Sequence, residues 1–316
     1  MNLNIDKKAL EDKLKKTLKE IKENDGFLYS YLDKIYLTIK NTITPTSNHE
    51  VSGVLPYQSV EDSIYLVGEF LEKCTPEYKA KIIEDYRRGK IIIHPSLENY
   101  TQCNAKTKDY KMFIRRTDTL AQSVYLVHEN MHTKNINDYV MRLALGETVS
   151  IAGELMFIDY LRKKQNRQYN EYNLNFLVQE RGKIYKDNLL FLKLTLPLLI
   201  SIKDTGEIDN SFLDMAIEGS ELTSQQAETT LNRYIKDPKS HWSVYRHTLG
   251  YILAKSFVDQ HQNPADLKTL NDLLRDAKFT EFQQMAIGPE SIVTVGRHVT
   301  KDEFSYHDTP HVKILK

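Results

Sequence analysis

The chain has 316 residues, and its 43 Lys+Arg are balanced by 43 Asp+Glu, giving a formal charge of zero. A chain of this length buries a core without help from a metal or a disulfide, so metal ligands in it would serve function; the balanced charge and the lack of a long basic run argue against nucleic acid as a partner. Its two cysteines, Cys74 and Cys103, have neither CxxC spacing nor the density of a secreted disulfide scaffold, which points to a reducing compartment.

The first 24 residues alternate charges with leucines and contain no apolar h-region, so no ordinary signal peptide is expected. Leu10, Leu14, Leu18 and Ile21 recur at helical spacing, and a second amphipathic pattern over Phe27–Thr42 predicts an opening helical hairpin. A Pro/Ser/Thr/Gly-rich loop follows from Thr44 to Gln58. Ser59 with Asp62 forms a capping-box-like start to a helix ending near Cys74, and Thr75-Pro76 opens another that Gly89 stops. Lys90–His94 and Tyr110–Arg115 gather β-branched and aromatic residues and are expected to pair as a small sheet. Thr117 or Asp118 is expected to cap the next helix, and a further one runs from about Asp138 to Lys164.

Beyond Asn173 the pattern stays helical, with breaks at Lys203–Asp209, Asp237–Ser240 and Asn263–Pro264; the tail after Gly288 reads as extended. The most apolar stretch, Leu189–Ile202, contains Lys193 and Pro197 and is too short to span a membrane, so it reads as a buried helix kinked near Pro197. These features predict a protein of the cytoplasm, or one exported by a route that reads other signals, with no membrane partner. No internal repeat is present.

His128-Glu129-Asn130-Met131-His132 is a complete HExxH. Histidines four apart on a helix share a face, so both imidazoles reach one Zn²⁺ while Glu129 sits beside the water it must deprotonate. Val124, Val127 and Met131 make this helix substantially apolar, and a histidine pair without a ligand there would be costly. A catalytic zinc takes three protein ligands plus water. The following helix offers Glu147 and Glu154, seven apart and on one face, among the small residues Gly146, Ser150, Ala152 and Gly153 that favour close helix packing. The bland alternative is that these glutamates form salt bridges with Arg142 or Arg162. The other histidines, His49, His94, His241, His261, His298, His307 and His311, have no ligand spacing and read as surface residues.

HExxH followed by a helix of the form E-x-x-S-x-x-x-E resembles the gluzincin peptidases, and most closely the oligoendopeptidase F and thimet oligopeptidase group. The resemblance implies that Glu147 is the third zinc ligand and that Glu154 orients a ligating histidine. Only 14 residues separate His132 from Glu147, fewer than is usual in that group, which leaves Glu154 as an alternative ligand. The segment Trp242-Ser-Val-Tyr245-Arg-His247-Thr-Leu-Gly250-Tyr251 is similar to the group's Tyr/His-rich helix, which implies that Tyr245, His247 or Tyr251 donates to the developing oxyanion. Positions 247 and 251 share a helical face, which favours that pair. Gly250, lacking a side chain, is expected to let substrate come close, and strand Tyr110–Arg115 to pair with an extended peptide, with Arg115 or Arg116 on a substrate carboxylate.

The expectation is thus a mainly α protein in which two helical lobes flank a zinc cleft with a small β-element. It is one two-lobed domain over 1–316, with an N-terminal helical part at 1–110, the site and second-lobe helices at 111–287 and a tail at 288–316. Its expected activity is zinc-dependent hydrolysis of peptide or protein substrates. The rival readings are a narrow-specificity effector that cuts one protein, and a catalytically inactive zinc-binding adaptor.

Overall fold

The computed structural model describes residues 4–30, 32–41, 55–104, 107, 109–134, 144–164, 171–238, 241–276, 278, 281 and 285. The expected loop over Thr44–Gln58 lies largely outside these residues, as do the start of the helix placed at Asp138 and the tail after Gly288. The architecture is mainly α with one small sheet. The elements, in chain order, are α1 (Lys7–Asn24), α2 (Gly26–Ser30), α3 (Leu32–Asn41), α4 (Val60–Cys74), α5 (Pro76–Arg87), β1 (Ile91–His94), β2 (Tyr100–Asn104), β3 (Asp109–Arg115), α6 (Leu120–His132), α7 (Ala144–Lys164), α8 (Glu171–Thr205), α9 (Asn210–Gly219), α10 (Ser224–Lys236), α11 (Trp242–Gln260) and α12 (Ala265–Arg275).

Contacts group the described residues into two compact units. The first comprises those of Met1–Thr46 and Ile184–Thr248, the second those of Ser47–Lys183 and Leu249–Gly296, so the chain changes unit within α8 and again within α11. In the first unit α1 buries Leu10, Leu14 and Ile21, the stripe predicted from their spacing, while Asp6 caps its start by accepting from the Ala9 N–H. Fully burying such an aliphatic side chain is worth about 1.5–3 kcal/mol. Thr17 on α1 shares a 2.6 Å hydrogen bond with Tyr234 on α10. Helix α8 continues through Pro197, and Leu192, Leu194, Leu196, Leu198 and Leu199 around it are all buried.

In the second unit α4 and α5 begin and end as their caps dictate. Ser59 accepts from the Asp62 N–H at the head of α4, Pro76 occupies the first turn of α5, and Gly89 takes a φ of +68°, the left-handed conformation that terminates the helix. The sheet has three strands in the order β1-β3-β2, with β1 parallel and β2 antiparallel to β3. Its inner face, Ile91, Met112 and Ile114, is buried, and β2 and β3 both contact α6. A buried hydrogen bond from the Tyr110 hydroxyl to Asp85 ties β3 to α5. Strand β3 is therefore the central strand with both edges paired, so it cannot take up a substrate backbone as expected. The edge of the sheet nearer the HExxH helix belongs to β2.

Candidate metal centre

Helix α6 presents one apolar face, Leu120, Val124, Val127 and Met131, spaced for the core and buried to within 2 % exposure. Its N-cap is Thr119, without a side-chain cap bond, rather than Thr117 or Asp118; Asp118 instead adopts a φ of +53° in the preceding turn. The first turn is fixed by Gln122, whose amide donates to Ser63 on α4 at 3.0 Å in the core. At the last turn the Thr133 hydroxyl donates to the Asn130 carbonyl at 2.7 Å. Helix α7 lies close against α6 because Gly153 faces it: a Cβ there would come within 3.0 Å of Met131 Cγ and 3.3 Å of Val127 Cγ1. Gly153 thus has the packing role anticipated for it.

The two helices bring His128, His132, Glu147 and Glu154 together, all within the second unit. His128 Nε2 and His132 Nε2 are 3.2 Å apart. Glu147 Oε2 lies 3.4 Å from His128 Nε2, and its Oε1 3.8 Å from His132 Nε2. The remote nitrogens are engaged elsewhere. His128 Nδ1 is 2.6 Å from Glu154 Oε1, and His132 Nδ1 is 3.2 Å from Ser150 Oγ. Since a carboxylate accepts, Nδ1 of His128 donates to Glu154, which leaves Nε2 as the nitrogen that faces the cluster, protonated toward Glu147 or, once that proton is lost, as a lone pair for a metal. Of the arginines offered as salt-bridge partners, Arg162 pairs with Asp159 at 2.8 Å and Arg142 lies outside the described residues.

The donor set, two imidazole nitrogens and a carboxylate, is of the kind that holds a divalent metal. Tetrahedral ligands at about 2.0–2.1 Å from a zinc ion are about 3.3–3.5 Å apart; the 3.2 Å between the imidazoles and the 3.4 Å from His128 to Glu147 Oε2 lie near this, while His132 is 3.8 Å from the other carboxylate oxygen. Among the described residues, His128, His132 and Glu147 are the group of three whose ligand atoms all lie within 4.8 Å of one another, so a metal ion can be held there. Glu154, the alternative ligand on sequence grounds, is placed on the far nitrogen of His128. Burial disfavours the His128 imidazolium, but the hydrogen bonds it donates to Glu147 and Glu154 more than reverse this and raise its pKa to about 10. A cation of some kind, a proton or a metal, belongs in this cluster.

Glu129 is buried, and that burial pushes its carboxyl above the usual range against the opposing pull of His128 and of Thr101. Thr101 Oγ1 on β2 lies 2.7 Å from Glu129 Oε2 and 3.1 Å from the Glu129 backbone oxygen. Thr101 went unrecognised in the sequence, because Tyr-Thr-Gln-Cys-Asn carries no apolar alternation by which β2 could be found.

The residues of α11 are dispersed. Tyr245 is fully buried in the first unit and donates to Thr195 Oγ1 at 2.7 Å. His247, also in the first unit, places Nδ1 2.7 Å from the Ser243 carbonyl, so Nδ1–H donates there. Tyr251 lies in the second unit with its phenol pKa raised by burial and by Asp259. Gly250 packs against α7 and makes room for that helix rather than for a substrate. Arg116 is taken up by Asp118 at 2.7 Å. Among the other histidines, His94 bonds Ser96 at the surface, whereas His241 and His261 are half-buried beside Asp237 and Asp266; His49, His298, His307 and His311 lie outside the described residues.

No protein-family model and no curated protein matches the sequence. Among solved structures, the chain is similar to one described as a "putative peptidase" from Chlamydophila abortus, at a TM-score of 0.51 and 15 % identity over 86 % of this chain and 49 % of that one. A "putative oligoendopeptidase F" from Bacillus anthracis str. Ames aligns at a TM-score of 0.49 and 13 % identity, over 90 % of this chain and 52 % of that one. The first likeness shows a shared fold, and the chain spans about half the length of either structure. Among the described residues, no helix is long and apolar enough to cross a membrane.

Proposed function

We propose that this chain is a zinc-dependent peptidase acting on peptide or protein substrates, with His128, His132 and Glu147 holding the metal and Glu129 acting as general base. The observation that carries the reading is the convergence of three ligand atoms within 4.8 Å of one another, next to a buried glutamate on the same helix. The fold shared with a protein described as a peptidase supports it. Zinc in such a site supplies Lewis acidity toward a carbonyl and brings the pKa of water to about 7.

The protein's own groups account for the remaining chemistry. Glu129 takes a proton from water onto its carboxylate and returns it to the leaving amine nitrogen. Its raised pKa suits this exchange, because a base that holds a proton too weakly cannot deliver it. Thr101 fixes the rotamer of that carboxylate, while Glu154 and Ser150 hold the imidazoles with their Nε2 atoms turned inward. Among the described residues no strand covers the outer edge of β2, so that edge, joined to Glu129 through Thr101, takes the pairing role first expected of β3.

Tyr251 is the α11 group best suited to donate to the oxyanion, because it belongs to the same unit as the metal-binding residues and a phenol carries its proton at neutral pH. Tyr245 already directs its proton to Thr195, and His247, with Nδ1–H on Ser243, donates from Nε2 only as the imidazolium. Glu129→Gln tests the reading. The variant is expected to keep its fold and one zinc per chain while peptide hydrolysis falls by about 10²–10⁴-fold. Parent-like turnover by a zinc-loaded Glu129→Gln protein would refute it.

A further inference from the structure

We infer that Gly250 is a positioning residue for the metal centre: its missing side chain lets the backbone of α11 rest directly on α7 at Glu147 and so fixes where that carboxylate starts. The inference rests on the reading of Glu147 as a metal ligand. A Cβ on residue 250 would lie 2.6 Å from Glu147 Cβ, 3.1 Å from the Glu147 carbonyl carbon and 3.2 Å from the Thr148 nitrogen. Carbon atoms in contact prefer about 3.5–4.0 Å, so a methyl group there demands a displacement of about 1 Å. Two of the three atoms it meets are backbone, and no rotamer change relieves them.

Helix α7 has little room to retreat. Leu145, Thr148, Val149, Ser150, Ile151 and Ala152 around Glu147 are all within 1 % of complete burial. On another face of the same helix, Gly153 is already in tight contact with Met131 and Val127 of α6. With α7 held on its other faces, it cannot move away as a rigid body, and the strain is relieved locally, at the α7 turn that carries Glu147 and the α11 turn against it. A zinc site tolerates ligand distances within about 0.2 Å, several-fold less than that shift. Glycine inside a helix runs against local preference, since alanine is the better helix former. Of the helical glycines in the second unit whose surroundings are described, Gly68 would place a Cβ at 3.4 Å from a flexible lysine side chain, an ordinary contact, whereas Gly250 meets the backbone of the metal-binding helix.

The test is zinc affinity, measured by competition with a chromophoric chelator, in the full chain and in Gly250→Ala, Gly68→Ala, Glu147→Ala and the Gly250→Ala/Glu147→Ala double variant. Gly250→Ala is expected to bind zinc at least about 10-fold more weakly, on the scale of losing a group that orients a ligand. Gly68→Ala should bind like the parent, and Gly250→Ala should weaken binding no further once Glu147 is alanine. A folded Gly250→Ala with parent affinity overturns the inference, as does an equal loss in the Glu147→Ala background, which would mean that residue 250 acts by another route. If the parent itself binds no zinc, the reading of the site fails instead, and the inference with it. Should Gly250→Ala not fold, amide exchange in the parent decides: zinc is expected to slow exchange at 249–252 together with 145–149, and an effect confined to α7 overturns the coupling.

Discussion

In the first unit, buried polar side chains meet a donor or acceptor of the protein: the Tyr245 hydroxyl on Thr195, Thr17 with Tyr234, and the buried Lys193 ammonium with the exposed Glu221. At the centre of the second unit the groups that meet are of like kind. Two imidazole nitrogens face one another at 3.2 Å with a carboxylate 3.4 Å from one of them, and the groups that set their orientation stand behind them. A donor–acceptor pair is complete within the protein and serves the fold. Several lone pairs directed at one point are complete only with a cation, so the pattern of partners separates a structural polar cluster from a binding one where burial alone does not.

The sharpest way to break that distinction is to remove the two glutamates of α7 separately. Glu147→Ala is expected to weaken zinc binding severely yet measurably in a chelator competition, while Glu154→Ala weakens it by only about 10–100-fold. Equal losses would mean that both carboxylates serve the metal alike.

A smaller contrast lies along α11. Tyr251→Phe is expected to lower kcat by about 10²–10³-fold with zinc content unchanged. Tyr245→Phe, which opens a closed pair, should cost about 1 kcal/mol of stability in urea denaturation and leave turnover near that of the parent. If the two variants exchange behaviours, the hydroxyl on Thr195 is a working group and the comparison between the units fails.

The smallest effect concerns Cys74, buried on α4, whose thiol is pushed up to about 12 mainly by that burial. A raised acid contributes stability that is whole below its unfolded pKa of about 8.5 and is lost as pH climbs toward its folded value, at up to about 1.4 kcal/mol per pH unit. The stability of the parent relative to Cys74→Ala should accordingly decline between pH 8.5 and 10. A constant gap across urea melts at pH 7, 8.5 and 10 would show that the thiol does not titrate as buried.

Much of the second unit was legible because its signals are local. Ser59, Pro76 and Gly89 act within one helical turn, and the His128–His132 pair follows from 3.6 residues per turn alone. The choice between Glu147 and Glu154 was not legible, because residues seven apart share a face and the chain between α6 and α7 gives no measure of how the helices are offset. Gly250 shows the same limit. Its lack of a side chain was evident, but whether substrate or helix fills the space depends on a contact with a residue about a hundred positions away. The break after Gly219 was also missed, although Gly219 is itself a helix-stop signal; the left-handed turn falls two residues later on Glu221, at a φ of +61°, a residue type that does not announce it.

Among the described residues no strand covers the far edge of β2, which bears on how copies of this chain behave toward one another. An unpaired strand edge is a template on which any extended segment, including one from a second molecule, can add its own ladder of hydrogen bonds. Here the edge is five residues long, and its outward side chains include Gln102 and Asn104, with Tyr100 laid flat on Phe113 at a ring separation of 4.5 Å. So short and polar an edge holds an extended segment only where a second contact anchors it: a peptide at the proposed metal site would have that anchor and a second copy would not, which disfavours edge-to-edge association.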